Sequence, residues 1–280
     1  PDLFPLTVAE TGETKWVLII SINPGAPNGG SGTQYFLGDF DGTRFISDQE
    51  EARWLDCGTD NYAGVTYNNT PDGERIFIGW MSNWDYARDT PTERWRSAMT
   101  LPRKLSLRKI GETVELINYP LETLEKLHSE EIQKELSLEK GQIETLNFEQ
   151  LKQSEVSFIT PSSNFKTTFM NAIGETLVVS LDGEKQEMTL DRRSSGQVEF
   201  QEAFGNKLHR VPVTNLPEGA VEFSFYLDWS SLEVFVNRGQ YAMTSQVFPN
   251  EPFNQMLIEN TGDKEVLLDS FSIYKMKSVW

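Results

Sequence analysis

Residues 54–103 read WLDCGTDNYAGVTYNNTPDGERIFIGWMSNWDYARDTPTERWRSAMTLPR, and four of the seven tryptophans of the chain stand in this segment. They lie among several carboxylates, whereas the core of a strand-rich protein is filled mainly by aliphatic side chains. An indole face stacks on the C–H face of a sugar ring, and a neighbouring Asp or Asn binds the sugar hydroxyls. The composition of this segment therefore indicates a surface that faces carbohydrate.

The order of the residues adds a family resemblance. Residues 56–64 (DCGTDNYAG), 78–86 (IGWMSNWDY) and 95–103 (WRSAMTLPR) resemble the later propeller blades of the β-fructosidases, glycoside hydrolase family 32. This family contains levanases, exo-inulinases, fructanases and invertases. Further along, residues 228–237 (DWSSLEVFVN) resemble the C-terminal β-sandwich of the same family, as do residues 190–192 (LDR), Met243-Thr244-Ser245 and Phe248-Pro249. The resemblance covers the whole chain.

Short alternating strands separated by Gly and Asp turns, with almost no helical periodicity, predict an all-β chain. Residues 14–23 form an apolar β-branched run that is expected to pair with residues 34–42, and residues 62–67 are expected to pair with residues 75–80. Such repeats fit a propeller and a sandwich equally well. The family resemblance implies the last blades, roughly two, of a five-bladed β-propeller followed by a C-terminal β-sandwich.

The pattern changes in the middle of the chain. A strand pair is expected between residues 101 and 117, and a segment rich in Leu, Glu and Lys follows it, with helix-like spacing of Leu121, Leu124 and Leu127. It is the only plausible helix. Alternating strands then return at a spacing typical of a sandwich. The domains expected are a partial β-propeller over 1–118, a linker with a possible short helix over 119–136, and a β-sandwich domain over 137–280.

The first four residues, PDLF, resemble those that follow Glu-Cys in the family motif Glu-Cys-Pro-Asp, which carries the acid/base glutamate. The family's nucleophile motif, Trp-Met-Asn-Asp-Pro-Asn-Gly, and its Arg-Asp-Pro motif do not occur in the sequence. The resemblance implies that the nucleophile, the acid/base and the transition-state carboxylate all lie upstream of Pro1. We therefore expect no catalytic residue in this chain, and we expect the isolated chain to be inactive.

Substrate-binding residues are expected in the Trp-rich segment. The resemblance implies that Trp80, at the end of a blade strand, stacks on substrate, with core packing as the alternative. Trp84 is a second stacking candidate, and Tyr62 either lines the pocket or lies in the core. Asp56 and Asp60 lie in a loop that the family directs at the pocket, where each either binds fructose hydroxyls or caps a turn.

Asp2 completes the set of six expected substrate-binding residues, because it stands just past the expected acid/base position. It either contacts the sugar or orients a neighbouring group, with a structural turn as the alternative. Trp54 and Trp95 are expected to pack in the interior.

Other catalytic classes are not favoured. Ser231 and Glu233 suggest a hydrolase triad, but the alternation around them predicts a strand, and neither His128 nor His209 stands near a nucleophile elbow. Residues 29–32 (GGSG) lack the Lys and the following helix that a phosphate site requires. Neither a metal site nor a cofactor is expected.

The net charge of −17, from 42 acidic and 25 basic residues, disfavours binding to nucleic acid or to anionic membranes. The single cysteine, Cys57, cannot form an internal disulfide. No apolar run approaches the roughly 18 residues of a membrane helix, so membrane insertion is not expected. The resemblance implies a secreted or periplasmic bacterial protein.

Two functions remain open on the sequence. The first is the C-terminal portion of a β-fructosidase that releases fructose from levan, inulin or sucrose, with no preference assigned between β-2,6 and β-2,1 linkages. The alternative is a non-catalytic carbohydrate-binding or interaction module. Two open propeller blades would expose unpaired strand edges. We therefore expect a missing N-terminal propeller half, or another copy of the chain, to cover the open edge, and the isolated chain to be sticky or dimeric.

Overall fold

The computed structural model describes residues 1–149, 151–217 and 219–279. In these residues twenty-two strands form four sheets, and all the strand pairings within the sheets are antiparallel. The helical residues are confined to one short α-helix and two 3₁₀ turns in the same described ranges. The prediction of an all-β chain is therefore confirmed.

The first two sheets contain five strands each and are built from the residues up to Pro120. The strands are β1 (Asp2–Thr7), β2 (Thr14–Ile22), β3 (Gly32–Phe40), β4 (Phe45–Ser47), β5 (Arg53–Trp54), β6 (Tyr62–Tyr67), β7 (Arg75–Met81), β8 (Ala98–Met99), β9 (Arg103–Ile110) and β10 (Thr113–Pro120). The first sheet has the order β1-β2-β3-β4, with β5 on β3, and the second has the order β10-β9-β7-β6, with β8 on β7.

The third and fourth sheets contain six strands each. Their strands are β11 (His128–Leu138), β12 (Ile143–Asn147), β13 (Ser154–Thr160), β14 (Asn164–Met170), β15 (Thr176–Asp182), β16 (Glu187–Ser194), β17 (His209–Pro212), β18 (Val221–Asp228), β19 (Ser231–Val236), β20 (Tyr241–Gln246), β21 (Gln255–Asn260) and β22 (Val266–Met276). The third sheet runs β11-β22-β13-β18-β19-β20, and the fourth runs β12-β21-β14-β15-β16-β17. The helical pieces are 3₁₀ turns at Glu122–Leu127 and Leu151–Gln153 and the helix α1 (Glu202–Gly205).

The first two sheets share a modest apolar core. Alternation along β2 buries Val17 and Ile19, which join Leu37 of β3 and Phe77 and Leu107 of the second sheet. A single parallel bridge between Val8 and Leu107 also connects the two sheets. The expected hairpins of β2 with β3 and of β6 with β7 are both confirmed by the strand register.

The third and fourth sheets enclose a larger apolar core. Its centre is rich in phenylalanine: Phe158 packs against Phe165, Phe223 and Phe271, with ring centroids 5.5–6.0 Å apart. Both sheets contribute to this one cluster, from Leu136 to Ile273. Burial of so much aromatic surface makes this pair of sheets the main source of hydrophobic stabilisation.

Three features of the chain beyond residue 118 differ from expectation. The short helix expected within the 119–136 linker is a 3₁₀ turn at Glu122–Leu127, because leucines three residues apart match the repeat of that helix. Residues 128–136, expected in the linker, belong to β11, where Leu136 and Leu138 alternate into the core and the charged residues that precede them face outward. The structure also has a short α-helix that was not expected, α1, which buries Phe204.

Candidate functional site

Three of the six expected substrate-binding residues form one aromatic row, which consists of Tyr62, Trp80 and Trp84. Tyr62 and Trp80 are cross-strand partners on β6 and β7, with ring centroids 6.2 Å apart. The rings of Trp80 and Trp84 lie 5.0 Å apart with an interplanar angle of 43°. Trp84 is 46% exposed, and the other two are half-buried. The row therefore presents aromatic surface to solvent in the form that stacks on sugar rings.

The local sequence holds this row in place. A register shift between Tyr62 and Val65, with Ala63 at φ 50°, marks a bulge that redirects the strand at Tyr62. The Trp80 Nε1–H donates a hydrogen bond of 2.6 Å to Ser97 Oγ, which fixes the rotation of the indole.

Buried Asn83 connects the segments beneath Trp84. Its Nδ2 donates to the carbonyl oxygens of Thr59 at 2.9 Å and Gly29 at 3.1 Å, and its Oδ1 accepts from the Asp85 N–H at 3.0 Å. One side chain thus joins three loops that are distant in the sequence. Asn83 is not among the residues predicted from the sequence, although it stands between Trp80 and Trp84 in residues 78–86.

Asp56 lies in the interior. Its Oδ2 accepts hydrogen bonds from Arg103 at 2.9 Å and from the Thr244 hydroxyl at 2.6 Å, while its Oδ1 accepts from the backbone N–H groups of Gly58 and Thr244, each at 2.8 Å. Its side chain has no exposed surface. The loop comes so close to β20 that a Cβ on Gly58 would lie 2.0 Å from the Thr244 carbonyl oxygen. Asp56 caps its own turn, which was the structural alternative.

Asp60 is equally enclosed. Its Oδ2 accepts from Arg192 at 2.8 Å and from the Gln246 N–H at 2.9 Å, and its Oδ1 accepts from the Tyr86 hydroxyl at 2.6 Å. Its side chain is also fully buried. The expectation that Asp56 and Asp60 bind fructose hydroxyls is therefore corrected: all four carboxylate oxygens already accept hydrogen bonds from the protein, and none is exposed.

Two buried arginines neutralise these carboxylates. Arg103 of the second sheet also donates to Glu233 of the third sheet at 2.6 Å. Burial alone would lower the pKa of Arg103, but Glu233 and Asp56 outweigh burial and raise it. Burial likewise opposes the charge of Arg192, and its neighbours Tyr86 and Asp60 raise its pKa. Both guanidinium groups therefore remain charged in the interior, where unpaired charges would be strongly destabilising.

Asp2 lies apart from the aromatic row. It is half-buried on β1, and its Oδ2 accepts hydrogen bonds from the backbone N–H of Thr66 at 3.2 Å and from the hydroxyl of the same residue. Thr66 is four residues beyond Tyr62 on β6, which corresponds to about 13 Å of strand. In this structure Asp2 connects the first two sheets.

The remaining tryptophans divide between interior and surface. Trp54 is half-buried beside Gly32, as expected of a packing residue. Trp95 is 47% exposed, so the expectation that it packs in the interior is wrong. Residues 90–97 form bends and irregular backbone rather than a strand, which leaves the indole without a covering layer.

The residues that could suggest a hydrolase triad are not assembled. Glu233 pairs with Arg103, His128 Nε2 lies 2.8 Å from Glu155 Oε2, and His209 is fully buried on β17. A cavity of about 870 Å³ lies between the β9–β10 turn and residues 214–217, and none of the six expected substrate-binding residues lines it.

Neither a membrane span nor a metal centre is found in the part of the chain that the structure describes. In residues 1–149, 151–217 and 219–279, no helix has the length and apolarity needed to cross a membrane. In the same ranges, no group of three or more His, Cys, Asp or Glu side chains is placed to hold a metal ion.

Comparison with known families assigns both parts of the chain. Residues 1–120 match the family described as "Glycosyl hydrolases family 32 N-terminal domain", and residues 120–275 match "Glycosyl hydrolases family 32 C terminal". The chain belongs to glycosyl hydrolase family 32. The predicted family resemblance is therefore confirmed.

Individual relatives of this family 32 chain agree with the assignment. It is 35% identical to an extracellular exo-inulinase from Aspergillus awamori and 34% identical to a levanase from Bacillus subtilis, with all of this chain aligned to each. The alignments cover 55% and 43% of those proteins, so the chain spans about half the length of the curated relatives that it matches.

Solved structures of the family superimpose closely on this chain. The A. awamori exo-inulinase crystal structure matches with a TM-score of 0.86 at 33% identity, over 99% of this chain and 56% of that chain. A β-fructofuranosidase from Schwanniomyces occidentalis, complexed with fructosyl-erythritol, matches with a TM-score of 0.86 at 25% identity, over 99% of this chain and 59% of that chain.

Proposed function

We propose that this chain is the C-terminal portion of a β-fructosidase that releases fructose from levan, inulin or sucrose with retention of configuration. Membership of glycosyl hydrolase family 32 and the similarity to an exo-inulinase and a levanase support this proposal. The observation that carries it is the aromatic row, because Tyr62, Trp80 and Trp84 stand together at a partly exposed surface where they can stack on sugar rings.

The proposal assigns residues 1–118 to the last two blades of a five-bladed β-propeller and residues 137–280 to a β-sandwich. The two family matches meet at residue 120, and the structure has its change of sheets between β10, ending at Pro120, and β11, beginning at His128. The first two sheets would then be blades, and the third and fourth sheets would be the two layers of the sandwich.

In the proposed reaction, two carboxylates about 5–5.5 Å apart act on the bond between fructose and its leaving group. One attacks the anomeric carbon and forms a covalent fructosyl-enzyme, while the other protonates the leaving oxygen and later activates water. The proposal places both carboxylates outside these 280 residues, because neither family motif that carries them occurs here. The contribution of this chain is to bind and orient the sugar.

Binding through the aromatic row is chemically suited to fructan. Each indole face offers an apolar surface to the C–H groups of a ring, while solvent remains free to bind the hydroxyls that point away. Trp80 is held by Ser97, so little side-chain freedom is lost when a ring stacks on it. Trp84, which is more exposed, would contact a ring further from the scissile bond.

We also propose that another polypeptide covers the free sheet edges and that the protein acts outside the cytoplasm. The strands β1 and β6 each end a sheet and pair on one side within the described residues, so their free edges suit pairing with a missing propeller half or another copy of the chain. The A. awamori relative is named as extracellular, which supports a secreted or periplasmic enzyme.

The test is an assay of fructose release combined with titration of inulin oligosaccharides. The chain alone should release no fructose from levan, inulin or sucrose, yet should bind the oligosaccharides. Together with a polypeptide that carries the nucleophile motif, the Arg-Asp-Pro motif and the acid/base glutamate, it should hydrolyse them. Fructose release by the chain alone would overturn the assignment of the catalytic carboxylates.

The matched variants are Trp80→Ala, Trp84→Ala and, as a control, Trp229→Ala. Trp229 is 63% exposed but stands at the β18–β19 turn rather than in the aromatic row. Loss of a stacking ring should weaken binding by roughly threefold to tenfold for the first two variants and leave the control unchanged. Binding without hydrolysis, even with the added polypeptide, would instead favour a non-catalytic carbohydrate-binding module.

A further inference from the structure

Arg192 extends from the fourth sheet into the half of the chain that bears the aromatic row. It lies on β16 and is fully buried. Its Nη1 donates to Asp60 Oδ2 at 2.8 Å, and its Nη2 donates to the Tyr86 hydroxyl at 3.0 Å. The Nε–H donates to the Phe204 carbonyl at 3.2 Å, and the guanidinium lies 3.6 Å from the Phe204 ring centre. One side chain therefore contacts two separate loops of the first 120 residues.

Each of these loops leads directly to a member of the aromatic row. Asp60 is two residues before Tyr62, at the point where β6 begins. Tyr86 is two residues after Trp84, and the N–H groups of Tyr86 and Ala87 donate to the Asn83 carbonyl at 3.1 and 2.8 Å, which closes the turn around Trp84. The Tyr86 hydroxyl also donates to Asp60 Oδ1 at 2.6 Å. Asp60, Tyr86 and Arg192 thus form a triangle beneath the row.

We infer that Arg192 is a positioning residue for sugar binding, and that it sets the spacing of Tyr62, Trp80 and Trp84 from the C-terminal half of the chain. The inference rests on the proposed function for the identity of the ligand, which is a fructan chain. Its structural part, the control of the Trp84 turn by Arg192, stands on the hydrogen bonds alone. The C-terminal sheets then serve the site directly as well as the stability of the fold.

Arg103 shows why this role is particular to Arg192. Both arginines are fully buried and paired with an aspartate of the same loop. Arg103, however, donates to Asp56, Asn118, Glu233 and Thr244, and none of these residues belongs to the turn that carries Trp84. Removal of either arginine should destabilise the protein, but only a change at Arg192 should move the Trp84 turn.

Tyr86→Phe isolates the positioning effect with little risk to folding. The variant keeps the ring, which packs edge-on against Phe204 with centroids 5.1 Å apart. It removes the hydroxyl through which Arg192 and Asp60 reach the turn. Arg192→Lys keeps the charge but loses the fork geometry needed to reach Asp60 and Tyr86 together. Arg103→Lys is the matched control.

The experiment uses 5-fluorotryptophan incorporation and ¹⁹F NMR, with the Trp84 signal assigned by Trp84→Phe. Tyr86→Phe and Arg192→Lys should shift or broaden the Trp84 signal, while Arg103→Lys should leave it in place. Titration with inulin oligosaccharides should show binding weakened by roughly threefold to tenfold in the first two variants, because a hydrogen bond that holds the stacking surface is lost. In the hydrolase assembled with the upstream polypeptide, KM for inulin should rise by the same factor while kcat for sucrose stays unchanged.

An unaltered Trp84 signal in both folded variants would overturn the inference, and so would an equal change in Arg103→Lys, which would indicate general loosening. An altered signal with unchanged affinity would show that the turn moves without serving sugar binding, which also overturns it. Failure of the unmodified chain to bind oligosaccharide would overturn the proposed function instead, and the ¹⁹F comparison would still decide whether Arg192 positions Trp84.

Discussion

The two halves of the molecule are built on different principles, although both consist of antiparallel sheets. The third and fourth sheets enclose a broad apolar core with a stacked phenylalanine centre. The first and second sheets share a smaller core and place large aromatic side chains, including Trp84 and Trp95, at the surface. An indole that is exposed to a ligand does not add buried apolar surface to the core. The half that carries the candidate site therefore has less hydrophobic stabilisation of its own.

Ion pairs and hydrogen bonds with the second half offset the smaller apolar core of the first half. Arg103 extends from the second sheet to Glu233 of the third, and Arg192 extends from the fourth sheet to Asp60. Asn28 adds a further link, because its Nδ2 donates to the Arg210 carbonyl at 3.0 Å and its Oδ1 accepts from the Arg210 N–H at 2.9 Å. The difference between the halves teaches that a site-bearing region can draw its rigidity from a neighbour rather than from its own core.

The largest expected effect comes from breaking one of these links. Arg103→Met should lower the free energy of unfolding by about 3–5 kcal/mol, because Asp56 and Glu233 would remain buried without a cation. Urea denaturation monitored by tryptophan fluorescence measures it. The control is Arg193→Met, whose exposed pair with Asp191 should contribute about 1 kcal/mol or less. Equal losses in the two variants would show that the interior pair has no special weight.

Matched deletions in the two cores should come next. Leu107 in the first half and Leu190 in the second are both fully buried, and replacement of either by Ala should lower the free energy of unfolding by about 3 kcal/mol. Calorimetry should show one cooperative transition that moves to lower temperature in both variants. Two separated transitions in Leu107→Ala would mean that the first half unfolds independently, which contradicts the interdependence described above.

A smaller change in the free energy of unfolding should accompany a change of pH, because His209 in the second half binds a proton only when the chain is unfolded. Burial, with Arg192 and Lys207 nearby, lowers the pKa of His209 from 6.5 to about 2. Between these values the unfolded chain binds a proton that the folded chain does not, so stability is lost as the pH falls below 6.5. The slope should be about 1.4 kcal/mol per pH unit, or about 2 kcal/mol between pH 7 and 5. The melting temperature measured over this range checks it, and His209→Leu should remove that part of the slope.

The smallest effect is expected at the surface of the first half. Lys104 Nζ lies 2.6 Å from Glu74 Oε1, but the lysine side chain is half-exposed. Lys104→Ala should lower the free energy of unfolding by about 0.2–1 kcal/mol, and 1 M salt should remove most of the difference. A loss comparable with that of Arg103→Met would show that exposed and buried pairs stabilise this half equally.

Much of the fold could be predicted because its signals are local. The alternation in residues 14–23 and the turn at residues 69–73 are sufficient to place β2 and the β6–β7 hairpin. The strand β11 was missed, because its many outward charges and its position directly after the helix-like spacing of Leu121, Leu124 and Leu127 hide the strand until its pairing with β22 is known. Helix α1 is too short for a periodic signal to appear.

The candidate site divides in the same way. Tyr62 and Trp80 could be brought together from the sequence, since a hairpin register places them opposite each other. The burial of Asp56 and Asp60 could not be predicted, because their cationic partners stand 47 and 132 residues away. In the sequence, an aspartate that caps a buried turn looks the same as one that caps an exposed turn. Contacts between residues so far apart in the sequence depend on how the four sheets pack together, and no local sequence pattern encodes that packing.

The distance between Asp60 and Arg192 has a consequence for biosynthesis. The two residues are separated by 132 positions, and Arg103 and Glu233 by 130. At roughly 5–20 residues per second, a ribosome adds Arg192 roughly 7–26 s after Asp60. During that interval the loop from Asp56 to Asp60 has carboxylates but lacks its C-terminal partners, so it must stay hydrated. The contacts that hold the loops beside Tyr62 and Trp84 can therefore form only after β16 of the fourth sheet has been made.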